Sequence, residues 1–171
     1  FMFAFAGMEF TLTFLGANRF GFNPTQNAWM MVFVGFILVL VQGGLVRRLA
    51  PKLGERRVAT AGLALVSIGL VILGIAPSVS ILYIGLGFMA FGMGLCSPTL
   101  TSMVSLFASE SEQGRALGAF RSIGSLARAI GPILASFVFW WFGSTFLYIA
   151  GAAITAIAVY LCTRIPNPVK Q

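Results

Sequence analysis

Aspartate and histidine are both absent from this chain, and its acidic residues are only four glutamates: Glu9, Glu55, Glu110 and Glu112. That scarcity removes most metal-ligand sets and every Ser-His-Asp arrangement. No nucleophile–base pair or metal cluster stands out, so the chain is not expected to be an enzyme. Charged residues make up 9% of the sequence, against about 25% in an ordinary soluble domain. With so few, a soluble fold could not cover its surface. Cysteine is scarce too. Cys96 and Cys162 both fall inside apolar runs and read as small packing residues, not a disulfide. A signal-peptide n-region is also missing.

What remains is apolar: 58% of the residues are hydrophobic, and the formal net charge is +7. In a soluble protein that charge would suggest a polyanion. Here the basic residues sit between apolar runs, so they set topology, and no nucleic-acid partner is expected. The expected class is an all-α, polytopic membrane bundle of six transmembrane helices, with the lipid bilayer as solvent.

The first run, Phe1 to about Leu15, is short for a span of about 20 residues. It reads as the remnant of a truncated helix, and the chain as a fragment. Asn23-Pro24-Thr25 signals a turn. The second run is Ala28 to Val46, followed by a basic loop with Arg47, Arg48, Lys52, Arg56 and Arg57. The third is Val58 to Ala76, ended by Pro77-Ser78, and the fourth is Ile81 to about Ala108. Ser109-Glu110-Ser111-Glu112 is a capping-box pattern. The fifth run, Gly114 to Phe142, is parted by Gly143-Ser144 from the sixth, Thr145 to about Cys162. A tail with Pro166, Pro168 and Lys170 follows.

Arg19 is the only basic residue in the first, third and fifth connections. The second and fourth loops and the tail hold Arg47, Arg48, Lys52, Arg56, Arg57, Arg115, Arg164 and Lys170. The positive-inside rule therefore places those loops and the C-terminus in the cytoplasm, in a membrane that remains open. Trp29, Trp140 and Trp141 fall near the opposite ends, where aromatic belts belong. The third and sixth helices carry no charge and are the expected lipid-facing ones.

Three charges break the apolar rule: Glu9, Arg121 and Arg128. Each costs about 2.5–3.5 kcal/mol at the centre of a spanning helix on the lenient insertion scale, so such residues normally face a bundle interior. Glu9 reads either as a proton carrier or substrate contact, or as half of a structural ion pair. Arg121 and Arg128 share one helical face, with Ser122 and Ser125 on or near it. Arg128 lies about 20 Å along the helix from Arg115, near mid-membrane, and needs an anionic partner. Arg121 is closer to the interface and reads first as an anchor. Glycine is abundant in the fourth and fifth helices. Pro98 and the pair Gly131-Pro132 are the expected bends.

Two stretches carry a family resemblance. Gln113-Gly114, Gly118, Ser122, Ser125-Leu126 and Gly131-Pro132 are spaced as in helix eleven of the major facilitator superfamily, in the branch with the tetracycline-resistance exporters. The basic loop, Gly44, Arg47-Arg48, Gly54, Glu55 and Arg56-Arg57, resembles that superfamily's signature between helices eight and nine. The opening segment around Glu9 resembles its helix seven. Two departures stand out. The acidic residue after the signature's first glycine is missing, with Arg47 or Arg48 in its place, so its gating salt bridge is not carried over. Ala135-Ser136 also replaces the antiporter-type glycine pair.

The resemblance implies that residues 1–171 are one domain, helices seven to twelve of a twelve-helix secondary transporter. The absent N-terminal six-helix half would be its partner. It implies alternating access by rocking halves, a small organic solute as substrate, and no cofactor beyond a proton as coupling ion. Drug-like efflux and organic-anion transport both fit. The alternative is a non-transporting membrane scaffold or truncated pseudo-transporter.

Overall fold

The computed structural model describes residues 2–166. Phe1, and Pro168 and Lys170 of the expected tail, lie outside the described residues. Helix α1 runs Met2–Phe20 and α2 Pro24–Leu40. A π-helical turn, Val41–Leu45, carries α2 directly into α3, Val46–Leu53. Then come α4, Glu55–Ile75, α5, Val79–Phe107, and α6, Gln113–Arg164. No strand occurs among the described residues. Among the described residues, four helical segments are long and apolar enough to cross a membrane: Pro24–Leu53, Glu55–Ile75, Val79–Phe107 and Gln113–Arg164.

Several expected boundaries move. The chain after Leu15 stays helical to Phe20, so Glu9 lies near the middle of α1. Asn23 caps α2: its side chain accepts from Gln26 N at 2.8 Å, and Asn23 N donates to Gln26 Oε1 at 2.9 Å. This reciprocal box, with Pro24 in the first turn, is what the turn signal encodes. The box expected at Ser109–Glu112 does not form. Ser109 donates instead to the Glu112 carboxylate, and α6 starts without a side-chain cap. The basic "loop" is mostly helix, because α3 absorbs Arg47 to Lys52 and only Gly54, at φ +85°, interrupts it.

The fifth and sixth runs are not separated by a loop. They are two helical limbs, 52 residues together, that meet at the expected break, Gly143, where φ is +83° and ψ 167°. Laid end to end they would span about 78 Å, more than twice a hydrocarbon core. Their contacts show that the second limb folds back on the first. Gly131 and Ala135 pack on Gly7, and Phe139 and Trp140 on Phe14, so the first limb (113–142) runs parallel to α1. Tyr148 packs on Gly74, Ala152 accepts from Ser67, and Thr163 accepts from Arg56, so the second limb (144–164) runs antiparallel to α4.

Glycines set the closest contacts. A Cβ on Gly62 would lie 2.7 Å from Gly92 O, and one on Gly69 2.6 Å from Met89 N, so α4 and α5 touch backbone to backbone. Such small-residue seams are how membrane helices gain packing energy where lipid offers no hydrophobic drive. Helix α4 is therefore sandwiched between α5 and the second limb. It leaves an apolar stripe with Ile68, Val71 and Ile75 exposed. The core joins Met8, Leu12, Leu15, Met30, Leu70, Leu86 and Tyr148 from five helices.

Candidate functional site

The first limb of α6 carries the densest set of expected site residues. Arg121, Ser122, Ser125 and Arg128 are all exposed, while Gly124, Gly131, Ala135 and Phe139 are buried. Position 128 lies midway along the limb (113–142), as expected for a mid-membrane charge. Its guanidinium donates to Ser125 Oγ at 3.4 Å, one turn below. Pro132 removes the N–H that would reach the Arg128 carbonyl, so that oxygen also loses its intrahelical donor. Arg128 thus offers donors, and its backbone an acceptor, on an open face in the middle of an apolar helix.

Glu9 is exposed too, on α1, flanked by Phe10 and half-buried Thr13. Parallel pairing places Met2 at the level of Gly124 and Gly7 between Gly131 and Ala135. Glu9 therefore sits about two turns, about 10 Å, above Arg128 along the bundle axis. The structure does not bring the two together, since Gly7, not Glu9, faces α6.

Of the loop-signature residues, Gly44, Arg47, Arg48 and Arg57 are exposed, and a Cβ on Gly44 would meet nothing within 4 Å. Arg56 is half-buried and donates to Thr163 O at 2.8 Å, tying α4 to the end of α6. Helices run on through Pro98 and Pro132. The departures from α-helical geometry lie at Val41–Leu45 and Gly143. Gly131 serves packing: its Cβ would sit 2.9 Å from Phe3 O.

Sequence reasoning missed Arg19, counted only as a lone charge in a connection. It donates to the carbonyls of Gly74 at 2.9 Å, Ala76 at 3.3 Å and Leu73 at 3.4 Å. Its other arm donates to Ser144 Oγ at 2.9 Å and Thr145 Oγ1 at 2.8 Å. One guanidinium thus closes the C-terminus of α4 and holds the start of the second limb, as expected for a cation beside orphan carbonyls. Arg47, Arg48, Lys52, Arg56, Arg57, Arg115 and Arg164 lie toward the opposite end of the bundle.

The described helices thus form a glycine-seamed bundle with helices long and apolar enough to cross a membrane, the class of a polytopic helical membrane protein. The sequence profile of the Major Facilitator Superfamily matches residues 1–171, and the chain belongs to that superfamily. It is 34% identical over 170 residues to the mouse (Mus musculus) Major facilitator superfamily domain-containing protein 10, covering 99% of this chain and 37% of that protein. The crystal structure of the human organic anion transporter MFSD10 (TETRAN) superposes with a TM-score of 0.88 at 31% identity, covering 94% of this chain and 38% of that one. A class C tetracycline resistance protein of Escherichia coli is 25% identical over 154 residues, covering 84% of this chain and 37% of that protein. The chain spans a little over a third of the length of these relatives.

Proposed function

We propose that this chain is the C-terminal half of a secondary transporter that moves small organic anions by alternating access. On this reading α1, the α2–α3 rod, α4, α5 and the two limbs of α6 make six crossings, helices seven to twelve of the fold. The basic end and C-terminus face the cytoplasm. The observation that carries the anion assignment is Arg128. Its guanidinium sits midway along an apolar limb, exposed on the bundle, with a serine hydroxyl as its recorded partner. A cation held at that depth repays its desolvation when an anion binds it. The similarity to a protein named as an organic anion transporter supports the same class.

The test is uptake of a fluorescent organic anion by a full-length transporter carrying this half. Arg128→Ala is expected to raise the apparent KM for anions at least tenfold, by loss of about 1.5–3 kcal/mol of charged hydrogen bonding. Unchanged anion affinity would remove the assignment. A second reading, proton-coupled efflux of drug-like solutes, rests on Glu9, an exposed carboxylate near the middle of α1. It draws modest support from the tetracycline resistance relative. Under it, Glu9→Gln abolishes the pH dependence of transport; a pH profile identical to wild type sinks it.

A further inference from the structure

Opposite in character to the polar face is a groove of about 710 Å³ between α2 and α5, floored by α4. Phe33, Ile37 and Leu40 line it from α2, Gly87 and Phe91 from α5, and Leu65 from α4. Tyr83, edge-on to Phe33 with ring centroids 5.1 Å apart, closes its far end. Its near end opens toward Val41 and the cluster of Val41, Val46, Val58 and Leu95. Directly beyond that cluster lies α3, whose inner residues Leu49 and Ala50 pack on it while Arg47, Arg48 and Lys52 are exposed.

We infer that this groove and the outward cations of α3 form a binding site for an anionic glycerophospholipid, with the headgroup at Arg47 and Arg48 and an acyl chain in the groove. Two independent features select that occupant. The first is charge. Of the cations at this end, Arg56 is engaged with Thr163 O and Arg164 with Tyr160, whereas Arg47, Arg48, Lys52 and Arg57 point outward. Basic clusters beside intramembrane grooves are where anionic headgroups bind. The second is length. From Arg48 back to Phe33 the helix rises about 22 Å. That matches the half-thickness of a bilayer with its headgroups, about 20–22 Å. A lipid seated with its phosphate at Arg48 therefore ends its chain beside Tyr83.

Gly87 provides the control. A Cβ there would only touch Ile37 and Phe33 at 4.0 Å, so a larger side chain enters the groove without moving the backbone. The experiment is native mass spectrometry of the purified full chain, titrated with phosphatidylglycerol and phosphatidylcholine of matched chain length. Phosphatidylglycerol is expected to be retained preferentially. Arg47→Gln/Arg48→Gln should weaken it about thirtyfold, from about 1 kcal/mol per basic residue. Gly87→Leu should weaken both lipids. Dioctanoyl phosphatidylglycerol on the unmodified chain should bind more weakly than the long-chain lipid, which tests the groove even if a variant misfolds. Equal retention of the two headgroups overturns the proposal, as does preference surviving the double substitution. A dimer peak abolished by Gly87→Leu would instead assign the groove to a second copy, and also overturns it.

Discussion

Arg19 shows how a single side chain can hold helix ends that lie far apart in sequence. Five hydrogen-bond acceptors from two helices converge on one planar group. Thr145 adds a donation to Gly74 O at 2.9 Å, so the α4 terminus is closed from two sides. Arg19→Ala strips these partners and leaves carbonyls at an apolar helix end unsatisfied. It is expected to cost about 2–4 kcal/mol, given 1.5–3 kcal/mol for a charged hydrogen bond and 1–3 kcal/mol for an orphaned group. Thermal unfolding in detergent should give the order wild type, Arg19→Lys, Arg19→Ala, because an ammonium reaches one cluster of acceptors but not both. Equal midpoints for Arg19→Lys and wild type would show that charge alone, not the fork, does the work. At this scale the sequence was legible only where chemistry is local. The charge at position 128 stood out against its apolar neighbours. The partners of Arg19, at positions 73 to 76, 144 and 145, are brought together only by the fold, so spacing carries no sign of them.

Helices read from apolar runs matched where a cap or proline marks the end, as at Ser78, whose side chain accepts from Ile81 N at the start of α5. They failed where backbone continues through polar sequence. Asn18 and Arg19 extend α1 because Arg19 finds carbonyl partners, and Arg47 to Lys52 stay helical because α3 packs Leu49 and Ala50 inward. The π turn at Val41–Leu45 had no signal beyond its glycines, and π turns often accompany functional sites. Glycine content was visible, but which glycines matter was not. Gly35 and Gly92 look alike in sequence. A Cβ on Gly92 would clash with Gly62 O and sit 2.7 Å from Val66 N, whereas one on Gly35 meets nothing within 4 Å. Gly92→Ala must push α4 and α5 apart and is expected to lower stability by about 1–3 kcal/mol, the usual cost of overpacking. Gly35→Ala, mid-helix and unobstructed, should raise it by about 0.5–1 kcal/mol. Side-by-side denaturation of the two purified variants checks the pair. A Gly92→Ala protein as stable as Gly35→Ala would mean the seam is looser than its geometry.

At the scale of the whole bundle, charged and polar side chains lie exposed on α1 and on the first limb of α6. Glu9 and Arg128 are exposed in the middle stretches of their helices, where lipid would strand them, with Ser125, Ser122 and Arg121 leading from there toward the basic end. A membrane protein tolerates this only if protein or water covers that face. The curated relatives it matches are nearly three times as long, with this chain covering 37% of the mouse protein and 38% of the human structure. Alternating access needs two bodies that rock about a shared site, and on the proposed reading this bundle supplies one wall of it. It follows that vesicles containing only this chain should take up no organic anion above protein-free vesicles. Co-reconstitution with the remaining portion of a full-length transporter should restore uptake, and Arg128→Ala should abolish the restored signal. Uptake by the chain alone would show that copies of this bundle can face one another and complete the pathway. Failure of the pair to transport, with both parts folded and associated, would favour the membrane-scaffold reading.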